Sequence, residues 1–302
     1  MVTAVRRILL FAFILQFLSF APTSAVEGEG ETEQNSPASR PVYIAYGIAY
    51  QNIDFLMGSL QEVQEALLSE GVPSFITSKD AFASIQENAR IMRDEILKFL
   101  AEHPEHSQVD IIAHSKGGLE ARYMISHLGM ADYVASLTTL STPHRGTPIG
   151  EFIIEDAGEG GRVIATAVAN AVGLILGDRE PDSDRAVFQL TPEYLKSFNT
   201  ATPNHPEVYY LSYASRLGND YPSLLYRTIG EAVYDVAGPN DGFVPVESAQ
   251  WGEYGGLINT LYDYEGLSHS DIIGGNPLTR NVDFDHVQFF MDIVEKVRER
   301  ED

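Results

Sequence analysis

The run Val109-Asp110-Ile111-Ile112-Ala113 passes without a break into His114-Ser115-Lys116-Gly117-Gly118, and then into an amphipathic stretch ending at His127. Few folds accept that order. A short apolar run rich in isoleucine reads as a strand buried on both faces. A helix that begins at once leaves room only for a very tight turn, so small residues must flank its tip. Ala113, where glycine is commoner, and Gly117 supply them. Such a turn holds Ser115 at the end of a sheet strand and aims the first N–H groups of the helix at negative charge developing beside it. Ser115 is therefore a candidate nucleophile, and the alternative is a buried serine at a strand end.

From Pro41 onward, strands alternate with helices. Strands are expected at Val42 to Tyr46, Ser74 to Thr77, Val109 to Ala113, Val134 to Leu140, Val208 to Tyr213 and Val233 to Ala237. Helices are expected at Ile53 to Ser69, Ala89 to Ala101, Gly117 to His127 and Phe284 to Val297. That alternation implies a mainly parallel sheet with helices on both faces. Between Gly146 and Pro206 it lapses. There Val163 to Leu176 is apolar on nearly every side, which suits either a core helix or one that meets something greasy. Its polar flanks, Glu155 to Gly161 and Gly177 to Arg185, favour a movable flap.

Composition narrows the setting. The chain has 302 residues, 44 % of them hydrophobic, and no cysteine, so a large core is available and a disulfide is not. A formal net charge of −23 excludes a basic nucleic-acid face and simple attraction to anionic membranes. Arg6 and Arg7, the apolar run Ile8 to Phe20 and the small residues Thr23-Ser24-Ala25 form a three-part signal peptide pattern. The run is shorter than a membrane span requires. The expected organisation is a signal peptide over 1–25, an acidic spacer over 26–40 and one domain over 41–302 with its lid region at about 146–206; the expected localisation is extracellular.

A serine needs a base at neutral pH. When the serine sits on a strand–turn–helix of this kind, the acid and then the histidine follow it in the chain. That order sets aside His103, His106 and His114. His127 ends a helix, His144 follows a strand, His205 lies among prolines, and His286 sits at helical spacing with apolar residues. His269, in Gly266-Leu267-Ser268-His269-Ser270-Asp271, remains as the base. Asp241, in Gly238-Pro239-Asn240-Asp241-Gly242, is the candidate acid, its alternative role being a turn aspartate. Asp235 and Asp263 are less well placed. Backbone N–H groups of Lys116 and of Ile48, after Tyr46-Gly47, are the expected oxyanion donors.

With these motifs in order, the chain resembles the secreted bacterial triacylglycerol lipases of the Pseudomonas and Burkholderia type, members of the α/β-hydrolase superfamily. The carriers are Ala113 to Gly118, Arg122-Tyr123, Thr142-Pro143-His144-Arg145-Gly146, Tyr209-Tyr210, Asn240-Asp241-Gly242 and His269-Ser270-Asp271. The resemblance implies an α/β-hydrolase fold with a helical lid, at Val163 to Leu176, that opens at an oil–water interface. It implies hydrolysis of triacylglycerol esters through an acyl-enzyme, and for some members a dedicated foldase. It also implies a structural calcium ion held by Asp220, Asp271 and the carbonyls of Gly275 and Thr279. Tyr46-Gly47 replaces the usual His-Gly, and Ile272-Ile273-Gly274-Gly275 replaces the Gln and Leu common after the histidine. An esterase, phospholipase or polyester depolymerase would use the same residues, and a non-catalytic binding protein would need none of them.

Overall fold

The structure, a computed structural model, describes residues 39–47, 54–78, 83–154, 182–258, 266–275 and 284–300. The expected signal peptide over 1–25 and the apolar stretch Val163 to Leu176 lie outside them. Six strands form one sheet: β1 (Val42–Ala45), β2 (Ser74–Ile76), β3 (Val109–His114), β4 (Val134–Leu140), β5 (Tyr209–Ser215) and β6 (Glu253–Ile258). Their order is β2-β1-β3-β4-β5-β6, and every neighbouring pair is parallel. Parallel neighbours need crossovers, and the helices supply them.

The inner strands β1 and β3 are buried along their whole length because their side chains alternate between two cores. Val42, Ile44 and Tyr46 pack with Leu60, Val63 and Leu67 of α1 (Asp54–Ser69) and with Phe290 and Ile293 of the last helix. Tyr43 and Ala45 face the other way. They pack with Met92 and Ile96 of α2 (Ile85–Glu102) and Met124 and Ile125 of α3 (Lys116–His127). Helix α2 starts at a capping box, in which the Ser84 side chain accepts from Glu87 N and the Glu87 side chain accepts from Ser84 N. That places its first residue, Ile85, four positions ahead of the expected start at Ala89.

The region where alternation lapses contains short helices among its described residues: α4 (Pro148–Ile154), α5 (Asp182–Phe188) and α6 (Pro192–Ala201). Two expectations change beyond it. Val233 to Ala237 is not a strand but the end of α7 (Leu224–Ala237), capped by Ser223 and stopped at Gly238 with φ 76°. Valine, tyrosine and valine at 233, 234 and 236 mimic a strand's composition. In the structure Ile229 and Val233, four apart, are buried, whereas Tyr234 and Val236 are exposed. The helical period wins because only one face meets the core.

The sixth strand lies elsewhere, at β6. It follows a short helix, α8 (Val246–Ala249), and joins the sheet edge beside β5. Glu253-Tyr254-Gly255-Gly256-Leu257-Ile258 has a glycine pair and an exposed start, so nothing in its composition marks a strand. Gly255 is needed there, because a Cβ would lie 2.4 Å from the Tyr213 ring. The chain ends on α9 (His286–Glu299), capped by Asp285. Arg298 of α9 donates to the carbonyl of Arg40, whose own Nε donates to buried Asp110 at 2.8 Å. The first described residues are thus tied to the body.

Candidate active site

Ser115 joins β3 to α3 with φ 57° and ψ −135°, a left-handed backbone that non-glycine residues rarely adopt. Such strain costs on the order of 1–3 kcal/mol and persists only where neighbours enforce it. Here they do. Ser115 N donates to Leu140 O of β4 at 2.9 Å, and the Thr142 hydroxyl donates to Ser115 O at 2.7 Å. Close approach then excludes side chains around the turn. A Cβ on Gly118 would lie 2.3 Å from the Thr142 hydroxyl. One on Gly117 would lie 2.9 Å from Tyr46 O.

His269 and Asp241 meet this serine from two later loops. The Asp241 Oδ2 accepts from His269 Nδ1 at 2.8 Å, and Ser115 Oγ lies 2.9 Å from His269 Nε2. With Nδ1 donating to a carboxylate, Nε2 is left to accept the serine proton. Asp241 is 1 % exposed and uses its other oxygen, Oδ1, to accept from Phe243 N and Val244 N at 3.0 and 2.7 Å. Its own carbonyl accepts from His269 N at 2.8 Å. The acid therefore holds the histidine by backbone and ring together. Expected to follow a strand, it instead follows α7, past the turn at Gly238.

The histidines set aside are engaged elsewhere, with one exception of note. His127 lies against Thr202, His205 accepts from Glu207 N, and His286 is buried at the start of α9 near Ser59. His114, set aside on chain order, turns out to touch the site: its Nε2 donates to the carbonyl of His269 at 2.8 Å, and the two rings are 4.5 Å apart. Its position next to Ser115 was the available signal. Phe243, whose ring is 5.5 Å from that of His269, carried none.

Comparisons with known proteins bear on the fold and the enzyme class. Residues 82–154, which include the strand, turn and helix around Ser115, match the family model of the PGAP1-like alpha/beta domain. The chain is 34 % identical to triacylglycerol lipase 2 of Saccharomyces cerevisiae over 218 residues, 70 % of this chain and 60 % of that protein. It is 26 % identical to a triacylglycerol lipase of Burkholderia plantarii over 54 % of this chain and 48 % of that one. The chain thus spans about half to three-fifths of these relatives. Among solved structures, the mature Bacillus licheniformis lipase BlEst2 superposes with a TM-score of 0.63 at 20 % identity, covering 87 % of this chain and 94 % of that one. A metagenomic carboxyl esterase gives 0.66 at 14 % identity, with 88 % and 77 % covered. The fold is that of the α/β-hydrolases.

In an α/β-hydrolase the space beside the serine must stay open for an oxyanion. Gly47 keeps it so, since a Cβ there would stand 2.6 Å from Ser115 Cβ and 3.4 Å from Lys116 N. Ile48, expected to give the second donor, lies outside the described residues. The side chain of Lys116 turns away from this space. Fully buried, it donates to Glu120 at 2.7 Å and to the carbonyl of Ala83, while Asn88 donates to the same Glu120 oxygen. Breaking a buried pair strands the surviving charge, typically at about 3–5 kcal/mol. Lys116→Met is expected to lower unfolding stability by that order in urea denaturation.

The two carboxylates expected to bind calcium sit in different settings. Asp220 is exposed, whereas Asp271 is buried and its Oδ2 already accepts from three protein donors, Tyr221 Oη, Ser268 N and Ser268 Oγ. Calcium needs six to eight oxygens, and among the described residues no group of three or more acidic, histidine or cysteine side chains could hold a metal. Gly275 is described and Thr279 is not. Burial raises the Asp271 carboxyl above its usual range, opposed by the Tyr221 and Ser268 donors.

Behind the turn, Arg122 of α3 is buried over the Trp251 ring at 3.5 Å and donates to Asn199 and to Thr202 O. It also donates to His144 Nδ1, so the His144 Nε2–H faces the Thr139 hydroxyl at 3.0 Å. Burial first, then Arg122 and Arg145, hold the His144 pKa well below its usual value. The unfolded chain therefore binds a proton that the folded one refuses. This contribution to stability is full above about pH 6.5 and shrinks as pH falls below it. Unfolding free energy is expected to drop between pH 7.5 and pH 5.5, with a shallower drop in His144→Gln, both readable by urea titration.

Proposed function

We propose that the chain is an exported lipase that cleaves carboxylic esters of triacylglycerols. The observation that carries this reading is the continuous line from Asp241 through His269 to Ser115, on a turn that the surrounding residues hold in a strained conformation. Ser115 Oγ attacks the ester carbonyl carbon while its proton passes to His269 Nε2. The tetrahedral oxyanion is met by the N–H of Lys116, with Ile48 as the second donor. Collapse breaks the bond to the alcohol oxygen, which leaves with the proton from His269. Water, deprotonated by the same nitrogen, then releases the acid and restores Ser115.

Triacylglycerol as the substrate rests on the two lipase relatives and on the sequence stretch Val163 to Leu176, whose apolar surface suits a flap over an oily interface. Export rests on the pattern within residues 1–25. The test is hydrolysis of triolein emulsion alongside p-nitrophenyl esters of increasing acyl length. A lipase retains activity on the long esters and gains rate above the solubility limit. Activity confined to acetyl and butyryl esters, with no interfacial gain, would replace the lipase with an esterase using the same residues.

A further inference from the structure

The base of the triad sits on a loop with no regular ladder to hold it, yet His269 must stay within hydrogen-bond reach of Ser115. The loop enters at Gly266, bridged to Leu217, with Leu267 N donating to Arg216 O at 2.7 Å. It then turns through Ser268, His269 and Ser270 into a short 3-10 turn, Asp271–Ile273. Both serines that flank the histidine are secured by side chains. Ser268 N and Oγ donate to Asp271 Oδ2 at 2.9 and 2.8 Å. The Ser270 hydroxyl pairs with the Tyr226 hydroxyl of α7 at 2.8 Å.

Asp271 is the hub of this arrangement, because the same Oδ2 accepts from Tyr221 Oη at 2.7 Å. Tyr221 is 1 % exposed and comes from the stretch Gly218 to Pro222, in which Asp220 was the expected metal ligand. The connection is made one residue further on, by a phenol instead of a carboxylate. Ring contacts continue it: Tyr221 lies edge-on to Tyr226, Tyr226 to Phe243, and Phe243 beside His269, with centroids 5.4 to 5.7 Å apart. The loop is thus joined to α7 and to the acid turn both by hydrogen bonds and by packed rings.

We propose that Asp271 is a positioning residue for His269, and that its bonds to Tyr221 and Ser268 fasten the histidine loop with protein donors where related lipases are expected to use a calcium ion. This rests on the ester-hydrolase reading of Ser115 and His269. A carboxylate fits the task because one oxygen can accept from two hydroxyls and an amide at once, and buried charge-assisted bonds are the strong ones. Displacing the imidazole by about an ångström costs about a hundredfold in rate without weakening substrate binding. Loss of the hub is therefore read in kcat and not in KM.

The experiment compares full-length wild type with Asp271→Ala, Asp271→Asn and Tyr221→Phe, on p-nitrophenyl butyrate and by fluorophosphonate labelling rate, each with and without a calcium chelator. Asp271→Ala is expected to lower kcat about tenfold to a hundredfold at similar KM. Asp271→Asn should recover part of that loss, since its amide oxygen still accepts. Tyr221→Phe keeps the packed ring and so the fold, and should lose several-fold in kcat. The chelator should leave wild-type kcat and melting temperature unchanged. Variants that turn over and label as fast as wild type would overturn the proposal, as would a wild type that loses melting temperature on chelation and regains it with calcium. A wild type that neither labels nor turns over ester would instead overturn the ester-hydrolase reading beneath it.

Discussion

Ser115→Ala is expected to lower kcat about 10⁵- to 10⁶-fold while the protein remains folded. Alanine removes the hydroxyl that attacks the carbonyl in the proposed mechanism. It leaves the turn's supports intact, because Ser115 is held through its backbone N–H and carbonyl, by Leu140 and Thr142, and not through its hydroxyl. Residual turnover would come from substrate binding and backbone donors near Lys116, which act on any attacking water. The strained φ of 57° is shared by serine and alanine, so little change in melting temperature should accompany the loss. Kinetics and thermal unfolding measured on one preparation check both halves.

Asp241→Asn is expected to cost about 10⁴-fold in kcat, and the structure shows why an isosteric change is so damaging. Asp241 Oδ1 faces two backbone donors, Phe243 N and Val244 N. An asparagine must present its carbonyl oxygen to them, since an amide NH₂ there would meet N–H groups head-on. Its NH₂ is then turned toward His269 Nδ1. A donor at that position forces Nδ1 to accept and places the ring proton on Nε2, facing Ser115. The histidine can no longer take the serine proton. The pH–rate profile and fluorophosphonate labelling rate of the variant, set beside wild type, report this directly, and labelling at the wild-type rate would contradict it.

The site was more legible than the fold around it. The strand–turn–helix at Ser115 dictates its own geometry, because the absence of a loop leaves one sharp turn and its glycines mark the close contacts. Asp241 and His269 followed from chain order, and the structure brings both to the serine. The supports did not show. Phe243, Tyr221 and Tyr226 act through rings and hydroxyls from α7 and its neighbouring loops, and no local pattern distinguishes a supporting tyrosine from a core one. His114 was discounted by an order rule that applies to the base and not to a residue that holds the base's carbonyl.

Among the elements, those with one dominant period were found. β3, β4 and α3 carry clean apolar patterns and lie within a residue of their expected ends. The errors fell where composition and period disagree. Val233 to Ala237 has a strand's residues on a helix's face, and β6 owes its strand to an open sheet edge beside β5, not to its own residues. The expected calcium set extends to Thr279, outside the described residues, and of its members Asp271 has the clearest surroundings. Asp271 is a buried acid beside the histidine, as a metal ligand would be, but one of its donors, Tyr221, comes from 50 positions away and no local pattern announces it.

One measurement bears most directly on Ser115 as the attacking atom. Wild-type protein treated with a fluorophosphonate and analysed by peptide mass spectrometry should carry one adduct, on the peptide containing Ser115, formed in step with loss of ester hydrolysis. An adduct on another serine, or full ester turnover with Ser115 unmodified, would contradict it.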